Sequence, residues 1–302
     1  MSESASFTQK IIETRITLRA GDFGGKGNTK VINGLATKVK IEKTGPPDFN
    51  KATIEICGLK YEDIEQLSTL SFKPLTTAKN VIEIHAGNEK DGLSLAFQGE
   101  ITTASADFNG APDVWMKFEA ITGYYGEVTA QGPSAIKGSQ SASSFIEQQA
   151  KNMGYSFRDD GVTTQLKNAV FNGSPMEQAR AAARQVGAEL FLDDGVLILS
   201  PSGGGKQGNA VKLSKTTGML GYPILNNEGV EIKALYNPAF KLGGLIEVES
   251  IVPKASGTWR IIKLSHELHA FCVGGGPWES KITAFLPDED PEKAKSETTK
   301  KK

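Results

Sequence analysis

Cysteine is scarce in this chain: Cys57 and Cys272 are the only two among 302 residues, and they lie far apart. Two thiols cannot build a disulfide framework or a four-ligand zinc site by themselves, so both read as small core or interface residues. A basic excess is also missing, because 34 Lys plus Arg stand against 35 Asp plus Glu and leave a net charge of −1. Free nucleic-acid binders draw most of their affinity from neutralised phosphates and usually show a concentrated basic face. No such face is visible. No apolar run approaches the ~20 residues that a membrane-spanning helix needs. Met1 to Phe7 is polar, without the basic start and apolar stretch of a secretory leader, so a soluble chain that folds in a cytoplasm is expected. What the sequence does have is 38% hydrophobic residues, enough for packed cores, and 33 glycines, enough for many tight turns. The length suggests about two domains at ~150 residues each.

The first 125 residues or so alternate with period two, and the faces can be assigned. Ile12, Thr14, Ile16 and Leu18 point one way, and Glu13, Arg15, Thr17 and Arg19 the other. Leu35, Thr37, Val39 and Ile41 repeat the pattern against Ala36, Lys38, Lys40 and Glu42. Val114, Met116, Phe118 and Ala120 repeat it against Trp115, Lys117, Glu119 and Ile121. Strands with one polar face pair antiparallel, since parallel strands are buried on both sides. Turn chemistry at Gly45-Pro46-Pro47-Asp48, Asn88 to Gly92 and Asn109-Gly110 separates them, and one short helix is expected at Tyr61 to Leu67.

Composition shifts at Gln131 to Ser144, which reads as a linker. Ser144 with Glu147 fits a capping box for a helix that stops at Gly154. Ser174-Pro175-Met176-Glu177 is a fuller start signal, with a capping Ser, Pro in the first turn and Glu at the third position. Its stripe of Met176, Ala179, Ala183 and Val186 runs to Gly187, and Asp194-Gly195 then turns a hairpin. Ser202 to Gly208 is a second linker, after which strands return at Gly244 to Ile251, Trp259 to Ala270 and Ser280 to Phe285. The fold class expected is mainly β with a small α/β module: two antiparallel β-barrel or sandwich domains, 1–130 and 203–287, bracketing an α/β insertion, 131–202. Residues 288–302 contain almost nothing apolar and are expected to be disordered.

The motifs that suggest chemistry give way to simpler readings. A phosphate loop needs Gly, four residues, then Gly-Lys-Ser/Thr between strand and helix, and neither Gly205-Lys206-Gln207 nor Gly21 to Gly27 complies. In His266-Glu267-Leu268-His269 the histidines are three apart on a strand, so their imidazoles diverge, and with His85 they read as structural. Asp159, Asp160, Asp193 and Asp194 are the acids a glycosidase would use. Both pairs sit in turns, as Asp159-Asp160-Gly161 and Asp193-Asp194-Gly195. No Gly-x-Ser-x-Gly elbow occurs, and no cofactor, metal or catalytic residue is assigned. Trp259 and Trp278 read as packing residues. Trp115, on the polar face of its strand, is the candidate interface position.

The C-terminal third carries a likeness to a known family. Thr217-Gly218-Met219-Leu220-Gly221-Tyr222-Pro223, Val230 to Pro238, Leu242 to Val248, Gly257 to His266, and Pro277-Trp278-Glu279-Ser280-Lys281-Ile282-Thr283 resemble the baseplate hub proteins of tailed bacteriophages, the tail-tube-like hub or late control protein D-like family. Asn50 to Leu70 is similar to the opening barrel of that family. The resemblance implies a non-enzymatic structural protein with two tail-tube-like domains, forming a homotrimer that adapts the hexameric tail tube to a threefold central spike. Further implied partners are tape measure and wedge proteins, and DNA passing through the channel without sequence-specific binding. The implied location is the virion baseplate, assembled in the host bacterial cytoplasm. The alternatives are a spike or tube-initiator subunit of a related injection machine, or a cell-wall glycosidase using the four aspartates.

Overall fold

The computed structural model describes residues 8–19, 22–45, 48–68, 80–201, 210–227 and 229–286. The polar start, the 202–208 linker and the 288–302 tail read from the sequence lie outside the described residues, as does the centre of the Gly45 to Asp48 turn. The chain divides into two compact units, one of residues 1–41, 51–122 and 267–278, the other of residues 42–50, 123–266 and 279–302.

Unit one holds β1 (Lys10–Thr17), β2 (Thr29–Ile32), the first part of β3 (Ala36–Thr44), β4 (Lys51–Cys57), α1 (Tyr61–Ser68), β5 (Val81–Asn88), β6 (Gly92–Asp107) and β7 (Trp115–Ile121). Their order is β3-β4-β7-β6-β5-β1-β2, and the pairs β1/β2, β1/β5, β5/β6, β6/β7 and β4/β7 are antiparallel. Burial follows the expected parity: Ile12, Thr14 and Ile16 on β1, and Met116, Phe118 and Ala120 on β7, are inside. Such alternation fixes register, since a slip of one residue would turn every apolar side chain outward. Ile54, Ile82, Phe97 and Phe118 are fully buried at the centre of this layer. The path ends at β2, so among the described residues this sheet is open.

Unit two begins with α2 (Tyr124–Val128), β8 (Ser134–Ala135), β9 (Ser139–Ser141), α3 (Ala142–Met153), β10 (Ser156–Asp159), β11 (Gln165–Lys167), β12 (Val170–Phe171) and α4 (Pro175–Gln185), then the hairpin β13 (Ala188–Asp193) and β14 (Val196–Pro201). The capping box at Ser174 is complete: the Glu177 N–H donates to Ser174 Oγ at 3.3 Å, and the Ser174 N–H donates to Glu177 Oε2 at 2.8 Å. At α3 the capping-box expectation fails. The helix starts three residues earlier, with Ser141 at its cap, so Ser144 is already inside it, and Glu147 instead pairs with Lys151 one turn on, at 2.7 Å. Gly154 ends it in the left-handed region, as expected. Strand β10 runs parallel to β14, an exception to the antiparallel rule made possible by the α4 crossover between them.

The remainder is a sheet of β15 (Val211–Leu213), β16 (Met219–Asn226), β17 (Gly229–Leu235), β18 (Leu245–Val248), β19 (Gly257–Ala270) and β20 (Trp278–Phe285). Its order is β16-β17-β20-β19, with β18 on β19 and β15 parallel to β18. Val230, Ile232, Ile261 and Ile282 fill its core. The protein is thus mainly β and largely antiparallel, with a small α/β module.

Candidate functional site

Parity along β3 carries the buried face past Thr37, Val39 and Ile41 to Lys43, a lysine only 1% exposed. Its Nζ lies 2.6 Å from Asp193 Oδ1 and 2.8 Å from Asp194 Oδ1. These aspartates close the β13–β14 hairpin, and Asp194 takes the left-handed conformation (φ 49°) that the Asp-Gly turn requires. Lys241 adds a second cation, 3.2 Å from Asp194 Oδ2, and the Asn50 side-chain amide donates to Leu192 O at 3.0 Å. Burial alone lowers the Lys43 pKa, but Asp193 and Asp194 outweigh it and hold the ammonium well above its ordinary pKa. The amine therefore stays charged and is no nucleophile.

Around this cluster stand Tyr236, His266 and Ser280. His266 Nδ1 is 2.8 Å from Ser280 Oγ, and Tyr236 meets the imidazole edge-on at 5.0 Å. Burial first, then Lys43 and Lys241, push the imidazole down to about 3, so it is neutral, and burial pushes the Tyr236 hydroxyl up to about 12. A serine hydrogen-bonded to a neutral histidine has the form of a nucleophile and its base. Here Ser280 is wholly buried and His266 nearly so, and a substrate carbonyl has no approach to either. The pair is structural.

The four sequence-selected aspartates are not gathered. Ser156, at the start of β10, sits beside the Asp194-Gly195 turn, whereas Asp159 pairs with Leu199, three residues and about 10 Å further along the strands. Asp159 Oδ1 accepts from the Gly161 and Val162 N–H groups, and Asp160 pairs with Arg158 at 2.8 Å. Each acid already has a turn or an ion pair to serve. The histidines diverge as their parity required: His266 faces inward, while His269 is half-buried on the other face of β19.

Trp115 opens β7, opposite Cys57 on β4 and Asp107 on β6, and is half-buried. Lys38 Nζ lies 4.2 Å from its ring centroid, a cation–π contact. Burial and Asp113 push the Cys57 thiol up, which makes it a poor nucleophile. In unit two, Tyr222, Ile224 and Leu225 stand exposed on β16, beside a bulge between Leu220 and Ile224. Sequence reasoning missed both Lys43 and this strand. Lys43 was signalled by strand parity. Met219 to Asn226 contains no charge, and that was the available sign of the second.

A family model for baseplate hub gp41 matches residues 13–271. The chain belongs to that family. It is a phage tail baseplate component, and solved tail proteins share the fold of the hub. The 43 kDa tail protein of prophage MuSo2 from Shewanella oneidensis aligns with a TM-score of 0.61 at 13% identity, over 91% of the hub and 97% of that chain. The tail protein from Neisseria meningitidis MC58 gives 0.64 at 10% identity, over 94% and 99%. The Escherichia coli c3393 protein, a type VI secretion component described as structurally similar to T4 tail proteins gp27 and gp5, gives 0.56 at 10% identity, over 90% and 76%. Among curated proteins none matches the hub in sequence. No helix of the described residues is long and apolar enough to cross a membrane.

Proposed function

We propose that the hub works as a structural symmetry adapter: three copies, each with two tail-tube-like β-modules at 1–130 and 203–287, form a six-lobed ring. One side of that ring matches the hexameric tail tube and the other receives a threefold central spike. The family match over residues 13–271 carries this reading. It is supported by the layout of each copy, in which an antiparallel β-layer precedes the α/β insertion at 131–202 and a second β-layer follows it. Rings arise from heterologous contacts whose rotation closes, and they need complementary surfaces and no catalytic centre. Trp115 is the position we assign to a neighbouring subunit, its indole already flanked by Lys38.

In this reading the hub is assembled in the host cytoplasm, carried in the virion, and contacted by tape measure and wedge proteins. DNA passes its channel without sequence-specific contact, in keeping with the net charge of −1. A spike or tube-initiator role in a related injection machine is the second reading, favoured by the likeness to the type VI component. The cell-wall glycosidase reading loses its acids to the Lys43 cluster and to the Asp159 turn.

Light scattering on the hub co-assembled with its tube protein tests the proposal. Three copies of 32.3 kDa per ring are expected, with Trp115→Ala shifting the hub toward smaller species. A hub that binds the tube as a single copy, or in sixes, contradicts it.

A further inference from the structure

Unit two contains two apolar cores with no member in common. Phe145, Ile146, Ala179 and Leu197 anchor the core of the α/β module, and Val230, Ile232, Ile261 and Ile282 that of the β15–β20 sheet. Between the two cores lies a seam of charge. The module contributes Glu189, Asp193 and Asp194, all from β13 and its turn. Facing them are Lys43 from the end of β3, Lys241 from the loop after β17, and Arg260 from β19. Arg260 Nη2 reaches Glu189 Oε2 at 2.6 Å, completing the set begun by Lys43 and Lys241. In these pairs every anion comes from the module and every cation from the other side. Phe49 adds an apolar touch, with the Arg180 guanidinium 4.6 Å from its ring centroid, and Gly123 (φ 92°) lets the chain enter the module where a Cβ would stand 2.8 Å from Leu192 Cδ2.

One shared core would tie departure of the module to unfolding of the sheet. Two separate cores with a mainly ionic seam tie them less tightly, because opening rehydrates both partners of every pair together and parts only a small apolar contact, where Phe49 lines one cavity with Leu190 and Leu197 of the module core. Contacts of this polar kind between bodies in one chain allow relative motion, whereas large apolar ones suppress it. Complementary charge fixes the closed register. We infer that the α/β module, about residues 123–201, is a docked body that opens from the sheet of unit two as a unit, and that the Lys43–Asp193–Asp194 cluster is the latch that keeps it shut.

Hydroxyl-radical footprinting of the full chain, read by mass spectrometry, tests this. Phe191 and Tyr236 report on the seam, Phe145 and Phe171 on the module core, and Trp259 on the sheet core. In Lys43→Met, oxidation of Phe191 and Tyr236 rises severalfold while Phe145, Phe171 and Trp259 keep their wild-type rates. Lys241→Met, which removes a part-exposed cation, gives a smaller change in the same two residues and decides the matter if Lys43→Met does not fold. Oxidation rising by one common factor in seam and cores, or unchanged at Phe191 and Tyr236 in Lys241→Met, overturns the inference.

Discussion

Lys43→Met lowers the stability of closed unit two by about 3–5 kcal/mol, read as a shift of the urea midpoint. The size follows from what remains. Methionine fills the lysine's volume without its charge, so Asp193 and Asp194, 6% and 11% exposed, lose the ammonium they share, and Lys241 remains only at Asp194. An uncompensated buried carboxylate costs far more than the pair was worth, so the loss belongs to the orphaned acids and not to the missing contact. One corollary separates this from a packing defect. The double variant Lys43→Met/Asp193→Leu recovers part of the loss, because it removes one buried carboxylate while Asp194 keeps Lys241. A loss below about 1 kcal/mol, or no recovery in the double variant, would show that the cluster carries no such weight.

Acid destabilises the hub through His266. The folded imidazole is held down at about 3 by burial, against an unfolded value of about 6.5. Between those values the unfolded chain takes up a proton that the folded chain refuses, so this contribution is complete above about pH 6.5 and is lost progressively as pH falls toward 3. From pH 7 to pH 5 the expected loss is about 2 kcal/mol, at about 1.4 kcal/mol per pKa unit. The groups facing the imidazole are Lys43, Lys241, Asp193 and Tyr236, and the two lysines reinforce its neutrality. His266→Gln keeps a hydrogen-bonding partner for Ser280 and cannot titrate in this range. Its urea midpoint should therefore fall less than that of the wild type between pH 7 and pH 5. Parallel pH profiles for the two proteins would remove His266 from the account.

Local rules made much of the architecture readable in advance. Alternation assigned the inner faces of β1, β3 and β7, the Ser174 motif capped α4, and Asp194-Gly195 closed its hairpin, because each depends on residues within a few positions of one another. The errors came where distant chain decides. Lys43 obeyed the parity of Thr37, Val39 and Ile41, yet a lysine is expected in water, and the acids that hold it inside are 150 and 151 residues away. The same pairing explains Asp193 and Asp194, which looked like catalytic candidates only while their partner was unseen. Ser144-Glu147 matched a capping box, but the backbone had already entered the helix at Ala142, where the Ser141 turn from β9 sets its start. Trp115 was legible as a residue out of place on a polar face, and Lys38 across its ring is the contact that sequence spacing did not announce.

Electron microscopy of the intact particle, averaged along the tail axis at the level of the hub, bears most directly on the claim that three copies imitate a sixfold ring. The account predicts threefold density in which six β-rich lobes alternate between two kinds around the channel. Six equivalent lobes, or three lobes with a single β-layer facing the tube in each, would contradict it.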